Sequence, residues 1–369
     1  MAEMIKENKP AANQHIVVAM SGGVDSSVAA AILCEQGYQV SGIMMRLYDS
    51  DSGEDNFARS LTKARKVSEL LNISFQVIDF RQEFKKKIIN YYLESHHNGR
   101  TPNPCFICNR QIKWGLLLDF ALKQGINWLA SGHYARITSN LSGMIELHKA
   151  VDTGKDQSYV LSGLDQSSLS HVVLPLGSLK KEQTRDIARR YNFGFNEIKD
   201  SQDLCFFNGM KQEEFLLEHA PQLFVPGEIR TPDGRKVGEH DGMANYTIGQ
   251  RKGLGAGNQE PIYVLKKDIQ NNVLIVGTRS ELGVKKVSVT DANWINGKEP
   301  TLPDDFEVKI RYRSNPKLAT LHRKNDSVYD IIFAEPVRDP TPGQFAVFYK
   351  GDQVIGSALI SDTISGADL

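Results

Sequence analysis

The sequence predicts an α/β domain built on a parallel sheet, then a small central β-rich domain, then a C-terminal β-barrel. Three observations carry that expectation. Short apolar runs alternate with helical patterns from residue 15 to about 210. A glycine turn joins the first run to the first helical pattern. From Val225 onward, short strand-like runs broken by Pro-Gly, Asp-Gly, Asn-Gly and Gly-Asp take over.

The candidate parallel strands are Ile16–Met20, Gln39–Met44, Ser74–Ile78 and Trp128–Ser131, with helical stretches at Val28–Leu33, Ala58–Leu71 and Ile112–Gln124 between them. Strands alternating with helices imply a parallel sheet covered on both faces, with ligands at the strand C-terminal ends. Thr184–Tyr191 and Lys211–Glu218 read as further helices. The β-rich part offers Ile262–Leu265, Val273–Val276, Val308–Tyr312, Tyr329–Phe333, Phe345–Tyr349 and Gln353–Ile360, the last group reading as a barrel. Soft boundaries near 210 and 283 divide the chain into residues 1–210, 211–282 and 283–369.

Charged residues are 24% and apolar residues 40%, an ordinary globular composition with room for a sizeable core. The formal net charge is zero, so any nucleic-acid surface must be a local patch. No apolar run approaches the roughly 20 residues of a membrane span. Met1–Gln14 is polar, with neither a signal peptide's apolar core nor an arginine-rich pattern. The expectation is a cytoplasmic protein without a membrane partner. Four cysteines in so long a chain do not make a disulfide framework, so a Cys-x-x-Cys pair points to metal or redox chemistry.

Ser21-Gly22-Gly23-Val24-Asp25-Ser26-Ser27 follows the first strand and opens the first helix. Glycines let backbone N–H groups approach an anion, and the helix dipole favours negative charge there. Ser21, Ser26 and Ser27 add hydroxyls, while Asp25 holds a magnesium ion or fixes the loop. The segment lacks the Gly-Lys-Ser/Thr ending of a Walker A loop. It resembles the pyrophosphate loop of the ATP-pyrophosphatase superfamily, which splits ATP into AMP and pyrophosphate. The bland alternative is a glycine turn before an ordinary helix.

Gly99–Asn109 carries Cys105 and Cys108 behind two backbone-restricting prolines, Pro102 and Pro104. Cysteines at a helix start sit near N–H groups that lower thiol pKa and favour the thiolate. Structural zinc is the alternative; it takes about four ligands, and Cys205, His96 and His97 are the candidates to complete it. Cys34 reads as a buried small hydrophobe. Cys205 lies in Lys199–Phe207, where the same reading competes with chemistry.

Several stretches in order resemble the bacterial and organellar tRNA-specific 2-thiouridylase family across nearly the whole chain. They are Ser21–Ser27, Gly99–Lys113, Ser131–Arg136, Lys155–Tyr159, Asp200–Phe206, Tyr246–Gly255 and Pro342–Tyr349. The loop alone is shared with ligases and amidotransferases, whereas the Thr-Pro-Asn-Pro and Asp-Ser-Gln-Asp-x-Cys-Phe segments are narrower. The resemblance implies a pyrophosphate-loop domain of the adenine nucleotide alpha hydrolase-like kind. It also implies ATP-dependent replacement of the 2-oxygen of a tRNA wobble uridine by sulfur, on tRNAs for Lys, Glu and Gln.

By that resemblance Cys108 is the nucleophile and Cys205 carries a persulfide received from a cysteine desulfurase or sulfur-relay protein. ATP contacts fall on Ala19, Met20, Ser21, Gly22, Gly23, Val24, Asp25, Ser26, Met45 and Gly132, with core packing the alternative for Met45. Contacts to the tRNA anticodon stem-loop fall on Asn103, Pro104, Cys105, His133, Lys155, Asp156, Gln157, Arg311, Tyr312 and Gln344. Arg311-Tyr312-Arg313 is expected within a β segment, as a pairing and stacking face for RNA. Cys105 departs from the commoner family pattern, which has Asp there. With Cys108 and Cys205 it makes three ligands for a 4Fe–4S cluster whose fourth iron is open. A persulfide relay and a cluster both stand at this point. Two other readings compete: an adenylating ligase or amidotransferase, and a non-catalytic tRNA-binding protein.

Overall fold

A computed structural model describes residues 6–7, 9–49, 56–194, 203–254 and 261–365. Five parallel strands form the first sheet, in the order Ser74–Asp79, Gln39–Arg46, His15–Ala19, Trp128–Ser131, Val172–Val173. Ile16 and Val18 face one apolar cluster and Val17 the other, so the central strand is buried on both sides. That is why it reads as a continuous apolar run rather than an alternating one. Helix Val24–Glu35 is lined by Val28, Ala29, Ala30 and Ala31, all fully buried. Its small side chains let helix Lys181–Arg190 pack closely against it.

Gln39–Arg46 and Trp128–Ser131 flank His15–Ala19 on opposite sides, so the sheet is extended in opposite directions from that strand. Ligands in such sheets bind at that switch point. The Ser21 loop and Gly132 follow strands that meet there, and Met45 lies at the end of Gln39–Arg46.

Residues Gly227–Arg230, Lys236–His240, Tyr263–Asp268 and Val273–Gly277 form a separate four-stranded sheet. Beyond it, Gly283–Trp294, Asp304–Lys309, Lys317–Arg323, Tyr329–Arg338, Phe345–Lys350 and Gln353–Ser365 pair antiparallel, and the last two close the barrel. Val287, Phe306, Leu321, Ile331, Phe348 and Ile360 fill it. One connection was not legible beforehand. The hairpin Arg136–Ser139 and Ile145–His148, from the α/β part, pairs with the barrel through His148 and Gln353.

The expected strand Val308–Tyr312 needs correcting. The strand is Asp304–Lys309, and Arg311-Tyr312-Arg313 occupies the turn behind it. The chain turns at Ser314, whose hydroxyl accepts from Arg311 N at 3.2 Å.

Candidate active site

The phosphate loop is held by its own hydroxyls. Ser21 N donates to Ser26 Oγ at 3.1 Å, and Ser26 Oγ and Ser27 Oγ donate to Gly23 O at 3.2 and 2.9 Å. Gly22 has a φ of +73°, and a Cβ there would lie 2.3 Å from Ser60 O. Only glycine fits. Gly132 packs directly against the loop. A Cβ would lie 2.6 Å from Asp25 C and Ser26 N, so the loop backbone itself occupies that space.

Asp25 is tied to its surroundings by three hydrogen bonds. Lys181 Nζ donates to both its oxygens at 2.8 Å, and Tyr134 OH donates to Oδ1 at 3.0 Å. These three bonds hold the carboxylate in one orientation beside the loop. Neither Lys181 nor Tyr134 was singled out from sequence, although Tyr134 lies in the Ser131–Arg136 stretch; a lone buried lysine has no local signature.

Cys105 and Cys108 sit on a short helix, Pro104–Cys108. Asn103 caps it, its side chain accepting from Phe106 N at 3.1 Å, and Pro104 occupies the first turn. The helix runs on into a π-helical stretch, Asn109–Leu117, a geometry common at functional sites. The barrel clamps this segment. Gln344 Nε2 donates to Thr101 O and Pro102 O at 2.9 and 3.1 Å, and Phe106 stacks on Phe345 at 3.6 Å.

A cavity of about 640 Å³ gathers the predicted pieces: Met20 and Ser21 of the loop, Met45, and Cys105, Cys108 and Cys205 together. Cys108 is buried, while Cys105 and Cys205 open onto the cavity; Cys34 lies apart and half-buried. Met45 borders the cavity and also packs against the core. Asp200, Ser201 and Gln202, just before Cys205, and Gly255 lie outside the described residues.

The expected lowering of thiol pKa needs correcting. Burial pushes Cys108 up to about 12 and Cys205 up to about 11, and raises Cys105 as well. Cys105 and Cys205 are exposed where they line the cavity, but the protein around them leaves a charge there poorly hydrated. Cys108 lies in the helix's second turn, beyond the reach of the terminal dipole. Lys113, which also borders the cavity, acts against the shift at all three thiols. The thiolate is the alkylating species and grows tenfold per pH unit below the pKa. At pH 7.5 iodoacetamide should therefore modify Cys205 on the order of a few hundredfold, and Cys108 on the order of a few thousandfold, more slowly than a free thiol. The rate should still be rising at pH 10, where Cys in a denatured control has levelled off; peptide mass spectrometry over a pH series checks both points.

The implied RNA contacts divide. Tyr312 is exposed and packs edge-on against Tyr159, and Cys105 is exposed at the cavity. His133 is buried, bonded to Ser131 Oγ at 2.7 Å, with burial holding it well below the usual imidazole range. Arg311 donates to Ile248 O at 2.9 Å and to Thr341 Oγ1, Asp156 accepts from Ala150 N and Ser158 Oγ, and Gln157 accepts from Tyr134 N. Lys155 lies in the same half-buried loop. Among the described residues no group of three or more His, Cys, Asp or Glu is arranged around a single metal ion. His96 packs on Tyr92 at 4.6 Å rather than beside the cysteines.

Family models match the chain in three consecutive parts. They are described as a tRNA methyl transferase HUP domain over residues 14–209, a tRNA methyl transferase PRC-barrel domain over 213–278 and an aminomethyltransferase beta-barrel domain over 284–360. The tRNA-specific 2-thiouridylase MnmA of Chloroflexus aggregans is 40% identical over 354 residues, 94% of this chain and 98% of that relative. The chain belongs to the tRNA-specific 2-thiouridylase family. The 2-thiouridylase MnmA of Carboxydothermus hydrogenoformans is 40% identical over 94% of this chain and 97% of its own length. That of Halalkalibacterium halodurans is 39% identical over 97% of both. A solved U34-tRNA thiolase, NcsA of Methanococcus maripaludis with its [4Fe-4S] cluster, aligns at 17% identity and a TM-score of 0.36, over 57% of this chain and 69% of its own. As a 2-thiouridylase-family member the protein is an enzyme, a tRNA-uridine 2-sulfurtransferase. Among the described residues no helix is long and apolar enough to cross a membrane.

Proposed function

We propose that this 2-thiouridylase uses ATP to activate the 2-oxygen of a wobble uridine and then replaces it with sulfur carried by Cys205. The observation that supports this most is the single cavity shared by the phosphate loop and the three cysteines. A uracil 2-carbonyl is a poor electrophile and its oxygen a poor leaving group. Attack of that oxygen on the α-phosphate releases pyrophosphate and makes AMP the leaving group. The terminal sulfur of a Cys205 persulfide attacks C2, and AMP departs with the oxygen. Cys108 thiolate then attacks Cys205 Sγ, the S–S bond to the substrate sulfur breaks, and 2-thiouridine leaves. A Cys108–Cys205 disulfide remains for an external thiol to reduce. A cysteine desulfurase or a sulfur-relay protein supplies the sulfane sulfur, and tRNAs for Lys, Glu and Gln are the substrates.

A second reading rests on Cys105, whose thiol opens onto the same cavity. Three thiolates there have the donor chemistry of a 4Fe–4S cluster, which would supply sulfide on its fourth iron. Cys105→Asp separates the two. A carboxylate is a harder ligand than a thiolate. The relay predicts an active, iron-free Cys105→Asp with a persulfide donor. The cluster predicts loss of both iron and activity after anaerobic reconstitution. Iron analysis beside nucleoside mass spectrometry of the product tRNA decides.

A further inference from the structure

The Ser21–Ser27 loop contains an acid, Asp25, and no basic residue. A triphosphate brings several negative charges, which backbone N–H groups and a helix dipole balance only in part. Lys181 supplies the missing cation next to the loop. Its side chain is only 10% exposed, yet its Nζ lies 2.8 Å from each oxygen of Asp25, in the first turn of the loop's helix. Lys181 itself opens helix Lys181–Arg190, which packs against helix Val24–Glu35.

The placement runs against the dipoles. A cation is disfavoured at a helix N-terminus, and Lys181 stands at the start of its own helix while reaching the start of another. A buried ammonium held there answers to negative charge. Asp25 provides one unit of it, and the anion that the loop's N–H groups face provides more. Lys181 is also firmly positioned: its backbone N donates to Asp152 Oδ2 at 2.8 Å. Tyr134 OH braces the same carboxylate and accepts from Thr184 Oγ1, at 2.8 Å, on Lys181's own helix.

We propose that Lys181 is a phosphate-contacting residue of the nucleotide site, its ammonium shared between Asp25 and the pyrophosphate end of ATP. This rests on the ATP-using reading above. In it Asp25 is a positioning residue that aims the ammonium, and the loop's N–H groups hold the anion from the other side.

The test is isothermal titration of the full-length protein with inorganic pyrophosphate and, separately, with AMP. Lys181→Met should weaken pyrophosphate binding by about tenfold or more, the usual scale for losing a charge-assisted contact. AMP, which lacks the β- and γ-phosphates, should change by less than about twofold. Lys181→Arg should restore most of the pyrophosphate affinity. Unchanged pyrophosphate binding in a folded Lys181→Met, or an equal loss for both ligands, overturns the inference. If Lys181→Met does not fold, Lys181→Gln gives the same comparison, since it keeps a donor for Asp25 without the charge. Wild-type protein that binds neither pyrophosphate nor ATP would defeat the ATP-using reading itself. Wild-type protein that binds both, beside an indifferent Lys181→Met, defeats only the role of Lys181.

Discussion

Cys108→Ser and Cys205→Ser are each expected to abolish 2-thiouridine formation, whereas Cys34→Ser leaves it within about twofold of wild type. Serine can neither carry a persulfide nor act as a comparable nucleophile at neutral pH. Cys108 and Cys205 border the cavity, and Cys34 sits half-buried in the helix behind the loop. Both serine variants should fold normally, because the change is nearly isosteric. Nucleoside mass spectrometry of tRNA from a deletion strain carrying each variant reads the outcome. Thiolated uridine at wild-type level in the Cys205→Ser strain would return that residue to the role of a small packed side chain. Trapping should also differ between the two. In the proposed sequence Cys108→Ser stalls with sulfur still joined to Cys205, whereas Cys205→Ser never receives it.

Gly132→Ala is expected to remove ATP binding with little effect on the three thiols. The added Cβ would lie 2.6 Å from the backbone at Asp25 and Ser26, and backbone cannot rotate away as a side chain can. The loop must move, and its hydroxyl bonds and the Asp25–Lys181 pair move with it. Overpacking of this kind costs about 1–3 kcal/mol, lowering the thermal midpoint by several degrees. Gly238→Ala is the matched control, since its nearest neighbour would be 3.7 Å away. Nucleotide titration and thermal melts of both variants check this. Gly132→Ala binding ATP like wild type would mean that the packing of the fourth strand's end against the loop does not shape the nucleotide site.

Much of this molecule was readable in one dimension because its signals are local. The central strand is buried on both faces, so Ile16, Val17 and Val18 form one apolar run. The loop needs glycine at a left-handed position, and Gly22 stands there. Asn103 and Pro104 open a helix with the residue types that such a position favours. Each depends on neighbours within a few residues, and the Cys-x-x-Cys spacing belongs with them. The family resemblance paired Cys108 with Cys205 by motif alone.

Tertiary structure decided what depends on distant neighbours. Helix-start cysteines were expected to be acidic, but burial outweighs a dipole that fades after one turn, and the thiols shift upward. Asp25 offered two roles in sequence, and the lysine that grips its carboxylate, consistent with the loop-fixing one, lies 156 residues away. Gly132 was placed beside ATP by resemblance, and the fold sets it directly against the loop backbone of Asp25 and Ser26. His133, Arg311, Asp156 and Gln157 have the chemistry of RNA contacts, and each also has a polar atom bonded within the protein. Which bond a polar group makes is set by what the fold brings within about 3 Å, and residue type alone does not encode that distance.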